Sequence, residues 1–158
     1  MKRILTLTII AAIFSACGND ADDTDTTAPQ IADAGEQTCP TDCYECFRGE
    51  TIEFCYTFTD DTELGSFNIE IHNNFDHHTH STSSVECEMD GKKTAVNAWI
   101  YNQDFSIPSG QTPHTPHITI DIPTDIDTGD YHFMIRLTDK AGWQQLKAMA
   151  IKVVSEEG

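Results

Sequence analysis

The chain has 158 residues, 39% of them hydrophobic, and carries 26 Asp and Glu against nine Lys and Arg, a formal charge of −17. That charge repels nucleic acid and anionic lipid head groups and attracts cations, although much of it serves only as a solvated surface. The length suits one domain with one modest core, and the sequence has no sustained helical periodicity and no internal repeat.

Met1-Lys2-Arg3 is a short basic head, Ile4 to Ile13 is an apolar run, and Phe14-Ser15-Ala16-Cys17 closes it. The run is too short to span a membrane as a stable helix and has the length of a secretory signal. Ser15 and Ala16 directly before Cys17 resemble the bacterial lipobox, although Phe14 stands where Leu is usual. The resemblance implies that residues 1–16 are a lipoprotein signal peptide and that Cys17 is acylated. An ordinary signal peptide cleaved after Ala16 is the alternative. Cleavage removes Lys2 and Arg3, leaving seven basic residues against 26 acidic ones, a formal charge of −19. Residues 17–37 are mostly Asp, Thr, Ala and Gly and read as an acidic disordered tether. Acids just after Cys17 resemble signals that send lipoproteins to the cell surface in Bacteroidota. The expected location is the bacterial envelope, lipid-anchored to the outer membrane on its periplasmic face or at the cell surface.

The folded domain is expected over residues 38–158 and opens on Cys39, Cys43 and Cys46. Cys55 and Cys87 follow. In an oxidising compartment disulfides are the default. Five cysteines allow at most two bridges and leave one thiol over, and spacing does not select the pairing. A thiolate metal site is the competing reading of Cys-x3-Cys-x2-Cys, but the second paired cluster usual in zinc ribbons is missing.

Thr51 to Phe58 alternates as a strand, with Ile52, Phe54, Tyr56 and Phe58 on one face and Cys55 looking away from the core. Asp60-Asp61-Thr62-Glu63 reads as a turn rather than a calcium loop. The stretch that follows is the most informative in the chain. In Phe67 to His72 the apolar residues face a core, which puts Glu70 and His72 together on the other face. A polar loop then carries His77, His78 and His80, so that four of the seven histidines fall within nine residues. Imidazoles at this density can surround one metal ion. His72, His77, His78 and His80 are the first-choice ligands, with Asp76 or Glu70 as an oxygen ligand or hydrogen-bond acceptor, although adjacent His77 and His78 do not comfortably share one ion. Nitrogen ligands with a carboxylate suit zinc first and copper second.

Further strands are expected at Ala98 to Tyr101, Phe105 to Ile107, His117 to Ile122, Tyr131 to Leu137 and about Trp143 to Val154. The last carries a bulge between Leu146 and Ile151, where its apolar phase shifts. His117 and His132 point outward from their strands and complete the metal shell if those strands are neighbours. About seven short strands between turn signals indicate an immunoglobulin-like antiparallel β-sandwich, with Tyr131 where such domains place a tyrosine corner. The Ile71-His72-Asn73-Asn74-Phe75-Asp76-His77-His78-Thr79-His80-Ser81 motif, Cys87, Phe105 to Pro108 and Gly129 to Arg136 together resemble a Bacteroidota lipoprotein family of the domain of unknown function 4625 type. That resemblance covers roughly Gly49 to Val154. It implies an immunoglobulin-like sandwich on a lipid tether and supplies no activity.

Three functional classes follow. One is a metal-binding lipoprotein that captures, buffers or hands over its ion, beside an outer-membrane receptor or another envelope protein. Another is an adhesion or assembly module that binds a protein or glycan. The third, a metal-dependent hydrolase, has little support, because His-Glu-x-x-His, Gly-x-Ser-x-Gly and phosphate-loop motifs are absent from the sequence. The expectation is a non-enzyme without nucleic-acid partners.

Overall fold

A computed structural model describes residues 24–80 and 82–155. The signal segment and Cys17 lie outside the described residues. Ten strands are formed: β1 (Gln30–Ala32), β2 (Tyr44–Phe47), β3 (Thr51–Cys55), β4 (Thr57–Thr59), β5 (Leu64–Asn73), β6 (Tyr101–Ser106), β7 (Pro113–His114), β8 (His117–Asp121), β9 (Gly129–Asp139) and β10 (Gln144–Val154). One three-residue 3-10 turn occupies Gly35–Gln37. No helix among the described residues is long and apolar enough to cross a membrane.

The larger sheet has the order β2-β10-β9-β5-β6; smaller sheets have the orders β1-β4-β7 and β3-β8. Pairing is antiparallel throughout except between β10 and β2, which run parallel. The expected all-β class holds, with mixed rather than wholly antiparallel pairing and ten strands rather than about seven. Ile31 of β1 packs against the core from within the stretch expected to be tether, so order begins before residue 38.

Alternation builds the core as the sequence implies. Ile52 and Phe54 from β3, Phe58 from β4, Phe67, Ile69 and Ile71 from β5, and Phe133, Ile135 and Leu137 from β9 join one buried cluster. Phe54 stacks on Phe67 and Phe133 at ring separations of 6.1 and 6.0 Å, which joins the β3-β8 sheet to the larger one. Gly65 sits at the register shift in β5, where an added Cβ would lie 2.7 Å from the Asp139 carbonyl oxygen.

One expectation about faces needs correction. The β9–β10 register runs without a break from Gln144↔Thr138 to Val153↔Gly129, so the expected bulge is absent. The shift in apolar phase instead reflects burial on both faces: Met149 belongs to the core cluster, while Ala148, on the other face, is also fully buried. Cys55, expected to look away from the core, lies outside the buried cluster that holds Ile52, Phe54, Tyr56 and Phe58, and is 3% exposed there with Cys39 and His117 paired on either side.

Tyr131, fully buried, donates its hydroxyl proton to the Asp127 carbonyl at 2.6 Å and accepts the Trp99 backbone N–H at 3.2 Å. Tyr131→Phe removes both bonds and leaves the Trp99 amide unpaired in a buried setting. Urea denaturation is expected to show a loss of about 1–3 kcal/mol; a loss below about 0.5 kcal/mol would contradict this account of the corner.

Candidate metal centre

The centre of the larger sheet brings the first two imidazoles together. β5 and β9 pair with His72 directly opposite His132, and both side chains leave the face away from the core. The chain then turns back over that face. His77 N–H donates to the Asn74 carbonyl at 3.1 Å, and His77 takes φ 61°, a left-handed conformation that histidine adopts more readily than most residues. Phe75 anchors the turn in the core, edge-on to Tyr131 at 5.3 Å, and the Asn74 N–H donates to the Asp130 carbonyl at 2.8 Å. These contacts bring His78 and His80 back above His72.

Four rings result, those of His72, His78, His80 and His132. Their six mutual centroid separations lie between 4.9 and 5.4 Å. Four points so evenly spaced mark the corners of a tetrahedron. Ring nitrogens of His72, His78 and His80 all come within 4.8 Å of one another, an arrangement able to hold a metal ion.

Proton bookkeeping sharpens the geometry. His78 Nδ1 donates to Asp76 Oδ1 at 2.5 Å. His72 Nδ1 lies 3.1 Å from Glu70 Oε1, close enough to hold a proton electrostatically although off the line of a straight hydrogen bond. With protons on both Nδ1 atoms, each Nε2 carries a lone pair, and these two Nε2 atoms face each other at 3.3 Å. Two lone pairs at that separation repel unless positive charge lies between them. A tetrahedral ion held at about 2.0–2.1 Å by nitrogen sets its ligand nitrogens about 3.3–3.4 Å apart. His132 Nε2 donates to the His78 carbonyl at 3.0 Å, which leaves Nδ1 with its lone pair. That Nδ1 is buried and has no hydrogen-bond partner among the described residues.

Burial favours the neutral form of two of these rings, His72 and His132. Burial depresses the His72 pKa first, the nearby Glu70 charge opposes the shift, and His78 and His80 add to it. Burial likewise depresses His132, against its bond to the His78 carbonyl. The hydrogen bond from His78 holds the Asp76 carboxyl below its usual range. Beside the rings lies a cavity of about 330 Å³, bordered by His77, Glu86, Cys87 and Met89.

The remaining expected residues lie elsewhere or play other parts. His77 turns its Nε2 to the Asp90 carbonyl at 2.9 Å and does not join the four rings. His117 sits on β8 opposite Cys55, its Nε2 3.9 Å from the Cys55 Sγ, in a different sheet from the histidine group. Glu70 and Asp76 orient imidazoles. Of the five candidate cysteines, Cys43 and Cys87 form a disulfide, while Cys39, Cys46 and Cys55 are free thiols. The bridge fastens the segment after the histidines to the start of β2, and Thr82 fastens the same segment to Ala148. Asn74, Phe75 and Thr82 are the positioning residues that sequence reasoning missed. Phe75, the one aromatic residue amid the polar histidine loop, was the available signal.

The depressed histidines give a pH dependence with a definite sign. Between the folded pKa and the ordinary value of 6.5, the unfolded chain binds more protons than the folded one. Stability of the metal-free protein therefore rises with pH through that window, is fully present above it, and is lost as pH falls through the folded values. Urea midpoints measured from about pH 5 to about pH 7.5 are expected to climb, and the climb is expected to flatten in His132→Gln. A flat wild-type profile would contradict the assignment of neutral rings.

Residues 15–154 match a family described as "Domain of unknown function (DUF4625)". No curated protein matches the chain. The match covers most of the 158 residues, and the chain belongs to that family.

Proposed function

We propose that the protein is an envelope-anchored lipoprotein that binds one transition-metal ion, zinc first and copper second, for capture, buffering or hand-over. The observation that carries the reading is the pair of Nε2 atoms facing each other at 3.3 Å with a carboxylate behind each ring. A carboxylate behind a metal-binding imidazole fixes its tautomer and raises its basicity. His72 and His78 bind through Nε2, His80 supplies a third imidazole, and His132 supplies the fourth through Nδ1. A proton shared between His72 and His78 is the competing way to relieve the lone-pair repulsion. The depressed pKa of His72 speaks for the metal.

Lipid anchoring rests on the Ser15-Ala16-Cys17 pattern, which lies inside the family match. We read the fold as immunoglobulin-like. Support comes from the core that the sheets share, the parallel pairing of β2 with β10, and the Tyr131 hydroxyl bonded four residues back along the chain. The role is read as non-enzymatic, since the sequence carries no His-Glu-x-x-His, Gly-x-Ser-x-Gly or phosphate-loop motif. Val96 and Ile100, 91% and 76% exposed, favour the alternative of an adhesion or assembly module that binds a protein or glycan.

The test is elemental mass spectrometry on the tag-free full chain, purified beside a His77→Ala/His78→Ala/His80→Ala variant. About one zinc or copper per chain is expected, lost in the variant. No metal in either after challenge with a weak chelator overturns the reading and leaves the adhesion module in front. His77→Ala alone and His117→Ala are expected to retain the ion. Asp76→Asn and Glu70→Gln are each expected to weaken affinity about 10–100-fold in a competition titration, since they remove the carboxylate behind a ligand.

A further inference from the structure

Among the described residues, three thiols remain once Cys43 and Cys87 are joined, and their surroundings differ. Cys39 and Cys55 stand opposite each other in an isolated antiparallel bridge. They exchange both backbone hydrogen bonds, Cys39 N–H to Cys55 O at 3.3 Å and Cys55 N–H to Cys39 O at 3.0 Å. In such a pair the two Cα atoms stand about 5.5 Å apart with their side chains on one side of the sheet, inside the span a disulfide bridges. Cys55 Sγ leans toward His117 Nε2 at 3.9 Å, so rotation about its Cα–Cβ bond brings it to Cys39. Cys46 is placed differently. It lies on β2 with 2% exposure, and its thiol donates to the Lys152 carbonyl at 3.5 Å.

We propose that Cys39 and Cys55 form a second disulfide, leaving Cys46 as the buried thiol. Each of the two thiols gives up a proton, and together they give up two electrons as the Sγ–Sγ bond forms. The oxidant is a small-molecule or protein disulfide, whose own S–S bond breaks and leaves as two thiols. This inference does not depend on the metal reading. Its structural effect reaches the histidine group, because the two bridges act in series. Cys55 lies buried at the end of β3, Cys39 pairs with it, and four residues later Cys43 holds Cys87 on the segment that borders the cavity beside His78 and His132. The isolated bridge of a short N-terminal segment thereby becomes a covalent anchor for that segment.

The experiment is differential alkylation of the full chain. Folded protein is equilibrated with oxidised glutathione, quenched with N-ethylmaleimide, denatured without reductant and mapped by peptide mass spectrometry. A linked peptide holding Cys39 and Cys55 is expected, together with the Cys43–Cys87 link and alkylation of Cys46 after denaturation. Cys46→Ala is expected to keep both links, and Cys39→Ser to expose Cys55 to alkylation while keeping Cys43–Cys87. Alkylation of both Cys39 and Cys55 in the oxidised wild-type chain, or a link from either of them to Cys46, overturns the proposal.

Discussion

The antiparallel pairing of β5 with β9 at the middle of the larger sheet sets both of that sheet's faces. On one face it aligns Ile69 with Ile135 and Ile71 with Phe133, which belong to the buried cluster. On the other it aligns His72 with His132. Side chains alternate with period two, so a slip of one residue would send the imidazoles into the core and the apolar residues to the surface. Burial of the core therefore holds the register of the histidines, and the histidine group takes its precision from hydrophobic packing on the opposite side of the same strands. The loop from Asn74 onward adds the remaining two rings, and Phe75 inserted beside Tyr131 aims it.

The chemistry of the group follows from which nitrogen of each ring is already committed. His78 gives its Nδ1 proton to Asp76, and His132 gives its Nε2 proton to a carbonyl. Each ring is left with one lone pair, on the atom that is not tied down. Burial depresses the pKa of His72 and of His132, which favours the neutral rings whose lone pairs are free. Imidazoles backed by carboxylates suit a divalent ion of intermediate softness better than they suit copper(I), which prefers sulfur. The surplus of acidic residues over the whole chain favours cation approach without specifying the ion.

Much of this was legible in the sequence, and the parts that were not share a physical cause. Strand phase placed Glu70 and His72 on one face and His132 on an outward face, and the structure keeps both. Phase carries no information about which strands pair, so it could not join His132 to His72 or separate His117 from both. It also treats the outer face of a strand as exposed. Val85, Glu86, Cys87 and Met89 border that face here beside His132 and Ala150, and Met134 and Ala148 are buried, which imitates a bulge in the apolar pattern of β10. Cysteine pairing depends on distance in space rather than along the chain, and the separation of 44 residues between Cys43 and Cys87 has no local signature. Composition likewise described residues 17–37 as tether, yet Ile31 finds a place on the core once β4 offers an open edge.

The most direct test of the central claim reads the imidazole nitrogens themselves. Long-range proton–nitrogen correlation spectra of the full chain, labelled with nitrogen-15 and titrated with zinc, report the state of every ring nitrogen. The account predicts that zinc shifts Nε2 of His72 and His78 to metal-bound values while both Nδ1 atoms remain protonated, with His77 and His117 unchanged. Spectra in which zinc leaves these nitrogens unmoved, or in which His72 and His78 share a proton and stay so at saturating zinc, would contradict it.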